Sequence, residues 1–280
     1  MLCTAYHLLV QLKSDCKSVF NLLSLENMQT LARSLKMWKS DTWSGLALSM
    51  LILGLWITSF FLSLSIPIST TSWLYIAGTV ILRAYLQTGL FIVAHDAMHG
   101  NLLPPYPNVN NMIGRLAVTI YAFLPYDHCR ENHTKHHRYT SQVGDPDFCD
   151  GFSSPLFWYG KFIREYFPFR SLIVFILSML ISIVSLIFFF KVNVINLILF
   201  WLLPLVLSSL QLFYFGTYLP HQQIETNPNF LPRLHRDRYS LIWSLISCYN
   251  FGHYHWEHHQ YPNVPWYQLP NAHINYSAKH

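Results

Sequence analysis

Charge is what this chain has least of. Asp, Glu, Lys and Arg together make up 11% of its 280 residues, where a soluble domain carries roughly 25%. That deficit, beside a hydrophobic share of 52%, excludes an ordinary water-soluble globule and places the chain among membrane proteins. Cysteine is sparse too. Cys3, Cys16, Cys129, Cys149 and Cys248 are odd in number and form no C-x-x-C. Neither a disulfide framework nor a sulfur-ligated zinc site is indicated, and reduced thiols on a cytosolic side are expected. The first 20 residues lack the compact apolar core and small-residue cleavage site of a secretory signal. No repeat with a period of roughly 20–50 residues is present, nor any low-complexity tract. The net charge of +5 is modest, and the basic residues form no stripe interleaved with aromatics, which argues against nucleic acid as a partner.

What the chain does have is long uncharged runs. Residues 43–66, 172–190 and 194–216 carry no charge, and 73–94 carries only Arg83. A helix needs about 20 apolar residues to cross a ~30 Å hydrocarbon core, so each run suffices. Only Lys191, Val192 and Asn193 separate the last two, which predicts a tight helical hairpin. Residues 112–124 are largely apolar but too short to span, and read as interfacial or re-entrant. The expected fold is an all-α integral membrane protein: four transmembrane helices, interfacial helices and a cytosolic histidine-rich cap. It divides into an N-terminal segment, 1–42, and a membrane domain, 43–280. The first segment holds Lys13, Lys17, Arg33, Lys36 and Lys39, and reads either as an amphipathic stretch on the membrane surface or as a tail. Four crossings return both termini to one side. Of 18 Lys and Arg, all but Arg83 and Lys191 fall on that side, which makes it cytoplasmic (or stromal). Arg83 inside a spanning helix is costly and needs a partner; a structural ion pair is expected.

The informative pattern is histidine. His133-x-x-His136-His137 and His255-x-x-His258-His259 repeat one spacing, and His95-x-x-x-His99 precedes them. Shuffling a chain with this histidine content would give His-x-x-His-His about 0.04 times. Residues three and four apart share a helix face, so each pattern aims two or three ring nitrogens at one point. All three clusters fall on the same side of the four crossings. Imidazole without thiolate argues against a structural zinc finger or an iron–sulfur cluster. Eight ligands exceed what one ion takes, so two metals are expected. Iron is favoured because zinc is redox-inert and nothing else here would perform hydrolysis. His221 ends the fourth run on the cluster side and reads equally as an interfacial residue or a ninth ligand. His128 and His253 are out of register with the clusters, and His7, His235, His273 and His280 are isolated; surface or hydrogen-bonding roles are expected for these. Asp96 and Glu257 are candidates to orient ligating imidazoles through the second ring nitrogen. Asp145 and Asp147, in Gly144-Asp145-Pro146-Asp147-Phe148, are further candidates, or form only a turn. A histidine-rich metal transporter or sensor is the non-enzymatic alternative, although it would place its ligands near the bilayer midplane.

The strings around these clusters resemble a known family. They are His95-Asp96-Ala97-Met98-His99-Gly100, His133-Thr134-Lys135-His136-His137 followed by Gly144-Asp145-Pro146-Asp147-Phe148, Tyr214-Phe215-Gly216-Thr217-Tyr218-Leu219-Pro220-His221, Tyr254-His255-Trp256-Glu257-His258-His259 and Pro265-Trp266-Tyr267-Gln268-Leu269-Pro270. Together they resemble the β-carotene ketolases, within the membrane fatty-acid desaturase and hydroxylase superfamily. The resemblance implies a non-heme diiron enzyme that uses O₂ to place a carbonyl at C4 of a β-ionone ring. It implies two Fe²⁺ ions on the eight box histidines, with His221 as a further ligand. It implies a carotenoid substrate dissolved in the lipid bilayer. Electrons would come from an external, ferredoxin-like donor, since no redox domain is recognisable in the chain. The basic residues Lys135, Arg138, Arg233, Arg236 and Arg238 would attract such a donor, or merely follow membrane topology. A carotenoid hydroxylase and a fatty-acid desaturase or hydroxylase share the boxes and stay open as alternatives. Two positions depart from the resemblance: Tyr267 stands where many members have tryptophan, and Asn250 lies where histidine is common.

Overall fold

The four long apolar runs of the sequence are helical. The computed structural model describes residues 25–149, 154–221 and 241–277, with side chains for 43–149, 154–221 and 241–274. The expected segment 1–42 lies outside the residues whose side chains are described, as do Arg233, Arg236 and Arg238. The chain divides into two units, Met1–Ser44 and Gly45–His280, and the three histidine clusters all belong to the second. Among the described residues the secondary structure is entirely helical.

Four helical stretches are long and apolar enough to cross a membrane. They are Trp43–Leu64 of helix α1 (Leu25–Leu64), helix α2 (Trp73–Met98), helix α6 (Phe169–Phe190) and helix α7 (Val194–His221). Between α2 and α6 lie three shorter helices, α3 (Pro107–Ala122), α4 (Tyr126–Tyr139) and α5 (Pro155–Tyr166). After α7 come α8 (Leu241–Cys248), α9 (His255–Gln260) and α10 (Leu269–Ser277). The ends follow local chemistry. Ser72 caps α2 by accepting from Tyr75 N–H, Pro107 and Pro155 open α3 and α5, and Asn193 caps α7 by accepting from Ile195 N–H at 2.8 Å. The expected hairpin is present. Helix α6 stops at Phe190, Lys191 takes a left-handed conformation (φ 55°), and α7 starts at Val194.

Helix α2 is the axis of the second unit. It packs against α3 and against the middle of α7. The α2–α3 approach is close because Gly114 has no side chain: a Cβ there would lie 2.5 Å from Ala97 Cβ and 2.5 Å from Tyr126 Cε2. Asn110 of α3 then pins the end of α2. Its amide donates to Ala97 O at 2.8 Å, and its oxygen accepts from Leu102 N–H at 3.1 Å. Helix α6 sits at the other extreme, with Met179 its only buried residue. At 1.5 Å per residue its 22 residues reach about 33 Å, and its exposed Leu, Ile and Phe side chains suit hydrocarbon on nearly every face.

Arg83 corrects an expectation. It is fully buried, yet its partners among the described residues are not carboxylates. Its guanidinium donates to Phe200 O (3.1 Å), Trp56 O (2.9 Å) and Ser59 Oγ (3.0 Å), and lies 4.6 Å from the Trp56 ring centroid. Phe200 belongs to a π-helical stretch, Ile198–Leu202. Such a stretch shifts the backbone ladder by one residue and leaves a carbonyl for the arginine. The side chain thereby ties three spanning helices together without a counter-charge.

Candidate metal centre

Nine imidazoles converge where α2, α4, α7 and α9 end. Four of them, His95, His99, His133 and His258, form one group whose ligand atoms all lie within 4.8 Å of one another; His136, His221, His255 and His259 form a second on the same criterion. The ninth, His137, stands between them. Its Nε2 is 2.9 Å from His258 Nε2 and 3.1 Å from His133 Nε2, and its ring stacks 4.3 Å from that of His259. Every histidine expected at the site is therefore in one assembly, His221 included.

The grouping refines the expected picture. Each His-x-x-His-His aims two ring nitrogens one way and the third the other. On a helix, i+4 lies about 40° round from i, and i+3 about 60° round in the opposite sense. His133 and His137 (i, i+4) accordingly face the first group, and His136 faces the second. On α9 the pair His255 and His259 joins the second group while His258 crosses to the first. The remaining histidines stay apart: His128 Nε2 bonds Glu165 O at 2.8 Å, His273 pairs with Glu257, His253 packs beside Tyr254, and His7, His235 and His280 lie outside the described residues.

The second ring nitrogens are held. Asp145 accepts from His136 Nδ1–H at 2.9 Å and also takes the Ser141 and Asp147 backbone N–H groups, each at 2.8 Å. Thr140 Oγ1 lies 3.2 Å from His259 Nδ1, and Thr217 O accepts from His221 Nδ1. Of the two carboxylates expected to orient imidazoles, Asp96 lies beside His95 at 3.7 Å but spends its hydrogen bond on Trp266 N–H at 3.2 Å. Glu257 bonds His273. The carboxylate that does bond a clustered imidazole is Asp145. Thr140, one helical turn beyond His136, was within reach of sequence reasoning by extending the same face; the Thr217 carbonyl carries no side-chain signal.

Burial, reinforced by neighbouring imidazoles, holds His133, His136, His255, His258 and His259 well below the ordinary histidine range. His99 falls to about 3 and His137 to about 4, burial being the main cause in both. All are neutral at pH 7, with a lone pair to offer. Burial, with Asp145 beside it, pushes Asp147 up to about 8.

The donor set fits metal ions. A carbonyl cannot donate, so His221 carries its proton on Nδ1. Its Nε2 is then a buried lone pair without a hydrogen-bond partner among the described residues. The facing Nε2 atoms are 2.7 to 3.1 Å apart. Two imidazole nitrogens at about 2.1 Å from one ion, at right angles, would be about 3.0 Å apart. Cations between the rings would remove the repulsion between converging lone pairs.

A family described as fatty acid desaturase matches residues 71–176 and 151–279. A protein named beta-carotene ketolase from Paracoccus sp. (strain PC1) is 39% identical over 191 residues, which is 67% of this chain and 75% of that protein. A beta-carotene ketolase of Haematococcus lacustris is 34% identical over 72% of this chain and 63% of its own length. A zeaxanthin 4-ketolase of Chlamydomonas reinhardtii is 32% identical over 80% of this chain and 50% of its own. No solved structure matches.

Proposed function

The chain belongs to the fatty acid desaturase family, and from that premise we propose that it is a carotenoid ketolase, oxidising the C4 methylene of β-ionone rings to a ketone with O₂. The observation that carries the reading is the pair of four-imidazole groups in a chain whose relatives bear ketolase names. In this reading the first group, joined by His137, holds one iron and the second group holds another. The four apolar helices anchor the chain in the bilayer, and the short helices α3 and α5 lie near its surface. The histidine-bearing ends form a cap on the cytoplasmic or stromal side with both termini. Residues 1–42 precede a membrane domain of 43–280.

Two irons at these sites would supply the activation of O₂, with electrons from an external, ferredoxin-like donor. The chain's own residues do the rest. Asp145, Thr140 and the Thr217 carbonyl fix the rings of His136, His259 and His221 so that Nε2 points inward. Phe251, at 4.2 Å from the His95 ring and 4.9 Å from that of His258, keeps water from one side. Neutral imidazoles leave the electrostatics of the site to the ions. At the substrate, two rounds occur at one carbon. The first turns CH₂ into CHOH, consuming one O₂, two electrons and two protons and releasing one water. The second repeats this to a geminal diol, which loses water to the ketone. The exposed Lys135 and Arg138 offer a basic surface to an acidic donor, although Lys135 also pairs with Glu131 at 2.7 Å.

Expression in a host that accumulates β-carotene tests the reading. A new ketocarotenoid is expected; hydroxylated carotenoids or altered acyl chains would replace the assignment. Purified protein should hold about two irons per chain, and activity in a purely zinc-loaded preparation would overturn the metal assignment.

A further inference from the structure

Between α2, α3, α5, α6 and α7 lies a cavity of about 210 Å³ that touches none of the clustered imidazoles directly. Its walls are apolar apart from three hydroxyls, and each of these is engaged within the protein. Tyr121 accepts from Ser208 Oγ at 3.4 Å, Tyr166 donates to Asp147 Oδ2 at 3.4 Å, and Ser209 meets the Tyr159 hydroxyl at 2.7 Å. Side chains on its wall adjoin both histidine groups. Phe91 on its wall precedes His95 by one helical turn, and Tyr166 bonds Asp147, whose carboxylate lies 4.0 Å from His136 Nδ1. Leu172 and Val206 at its margin are exposed on helices long and apolar enough to lie in lipid, which gives it a mouth toward the bilayer.

We infer that this cavity seats the hydrocarbon end ring of the substrate, and that it selects rings without a 3-hydroxyl group. The inference rests on the ketolase reading above. An apolar cavity of about 150 Å³ takes a benzene ring and stays dry, so this volume suits a methyl-substituted six-membered ring. A 3-hydroxyl would enter a wall whose polar groups are already paired and would lose its own hydrogen bonds to water. Apolar pockets reject an added hydroxyl only up to about a hundredfold, so a preference of about ten- to a hundredfold for β-carotene over zeaxanthin is expected.

The test uses the full-length chain in liposomes carrying β-carotene and zeaxanthin together. Two quantities are read: pigment retained per iron-free chain through purification, and ketone formed from each pigment by the iron-loaded, reduced protein. Preferential retention and ketolation of β-carotene support the proposal; equal use of the two pigments, or preference for zeaxanthin, overturns it. Leu205→Trp fills the cavity and should abolish pigment retention while iron content stays at the wild-type value; undiminished retention would place the ring elsewhere. Leu205→Asn offers the missing hydrogen-bond partner and should narrow the preference at least threefold; an unchanged ratio counts against the wall as its source. Pigment retained without any ketone would remove the ketolase reading and leave the cavity standing, whereas ketone made equally from both would do the reverse.

Discussion

Asp145→Asn should empty one metal site and spare the other. The carboxylate accepts from three donors, His136 Nδ1 and the backbone N–H groups of Ser141 and Asp147, with only two oxygens. Asparagine keeps the shape but offers one acceptor oxygen and one NH₂ donor. In either amide orientation, one backbone N–H faces another donor. A buried donor left without an acceptor costs about 1–3 kcal/mol, and the bond from the imidazole, which either oxygen can accept, loses its charge assistance. At 1.36 kcal/mol per tenfold, the second-group iron should bind about ten- to a hundredfold more weakly, the range typical of residues that orient metal-bound histidines. The first group shares no residue with the second and none of its imidazoles bonds Asp145, so its affinity should change little. The assay is iron content per chain after dialysis against a graded series of chelator. Wild type should release both irons late, and the variant should show a plateau near one iron. Loss of both irons in one step, or no shift at all, would refute the argument that Asp145 acts through His136.

Other perturbations separate parts of the same picture. Alanine at any of the eight box histidines should abolish ketone formation without removing the protein from the membrane, while His128→Ala, whose ring bonds Glu165 O away from the clusters, should keep most activity; pigment analysis of whole cells reads both. Gly114→Val drives side-chain atoms into Ala97 and Tyr126, and overpacking of about 1–3 kcal/mol or more should lower the temperature of irreversible inactivation in detergent. Acid should destabilise the iron-free protein. Its buried histidines have folded pKa values below the unfolded value, so the unfolded chain binds more protons as pH falls. Stability is complete above about pH 6.5 and declines by up to about 1.4 kcal/mol per pH unit for each such histidine, on down to about 4 for His137 and about 3 for His99. Circular dichroism against pH should show the loss, and iron loading should move it to lower pH.

Much of this was legible in the chain. Runs without charge announced the four long helices because hydrocarbon tolerates no unpaired polar group, and the three residues at 191–193 were too few for anything but a hairpin. The histidine spacing announced that the three clusters would converge, while topology left His221 equally a ligand or an interfacial residue until the family resemblance added it. Which histidine joins which group was not legible: residues three and four apart share a face only loosely, and the difference of about 100° between them decides which group each faces. Arg83 was misjudged because a buried cation normally seeks a carboxylate; the carbonyl at Phe200 became available only through a π-helical stretch that no residue pattern announces. Asp145 sat in a stretch that read equally as a turn, and it is both, receiving two backbone N–H groups as well as the imidazole.

The split of each histidine doublet has a consequence for how the site tolerates change. Neighbouring residues on one rigid backbone face different groups, so the gap between two bound ions would be inherited from helical pitch and not from the length of any connecting loop. Insertions in the surrounding loops can lengthen or reshape the protein without retuning that gap. A single-residue slip within α4 or α9 would unseat both ions together.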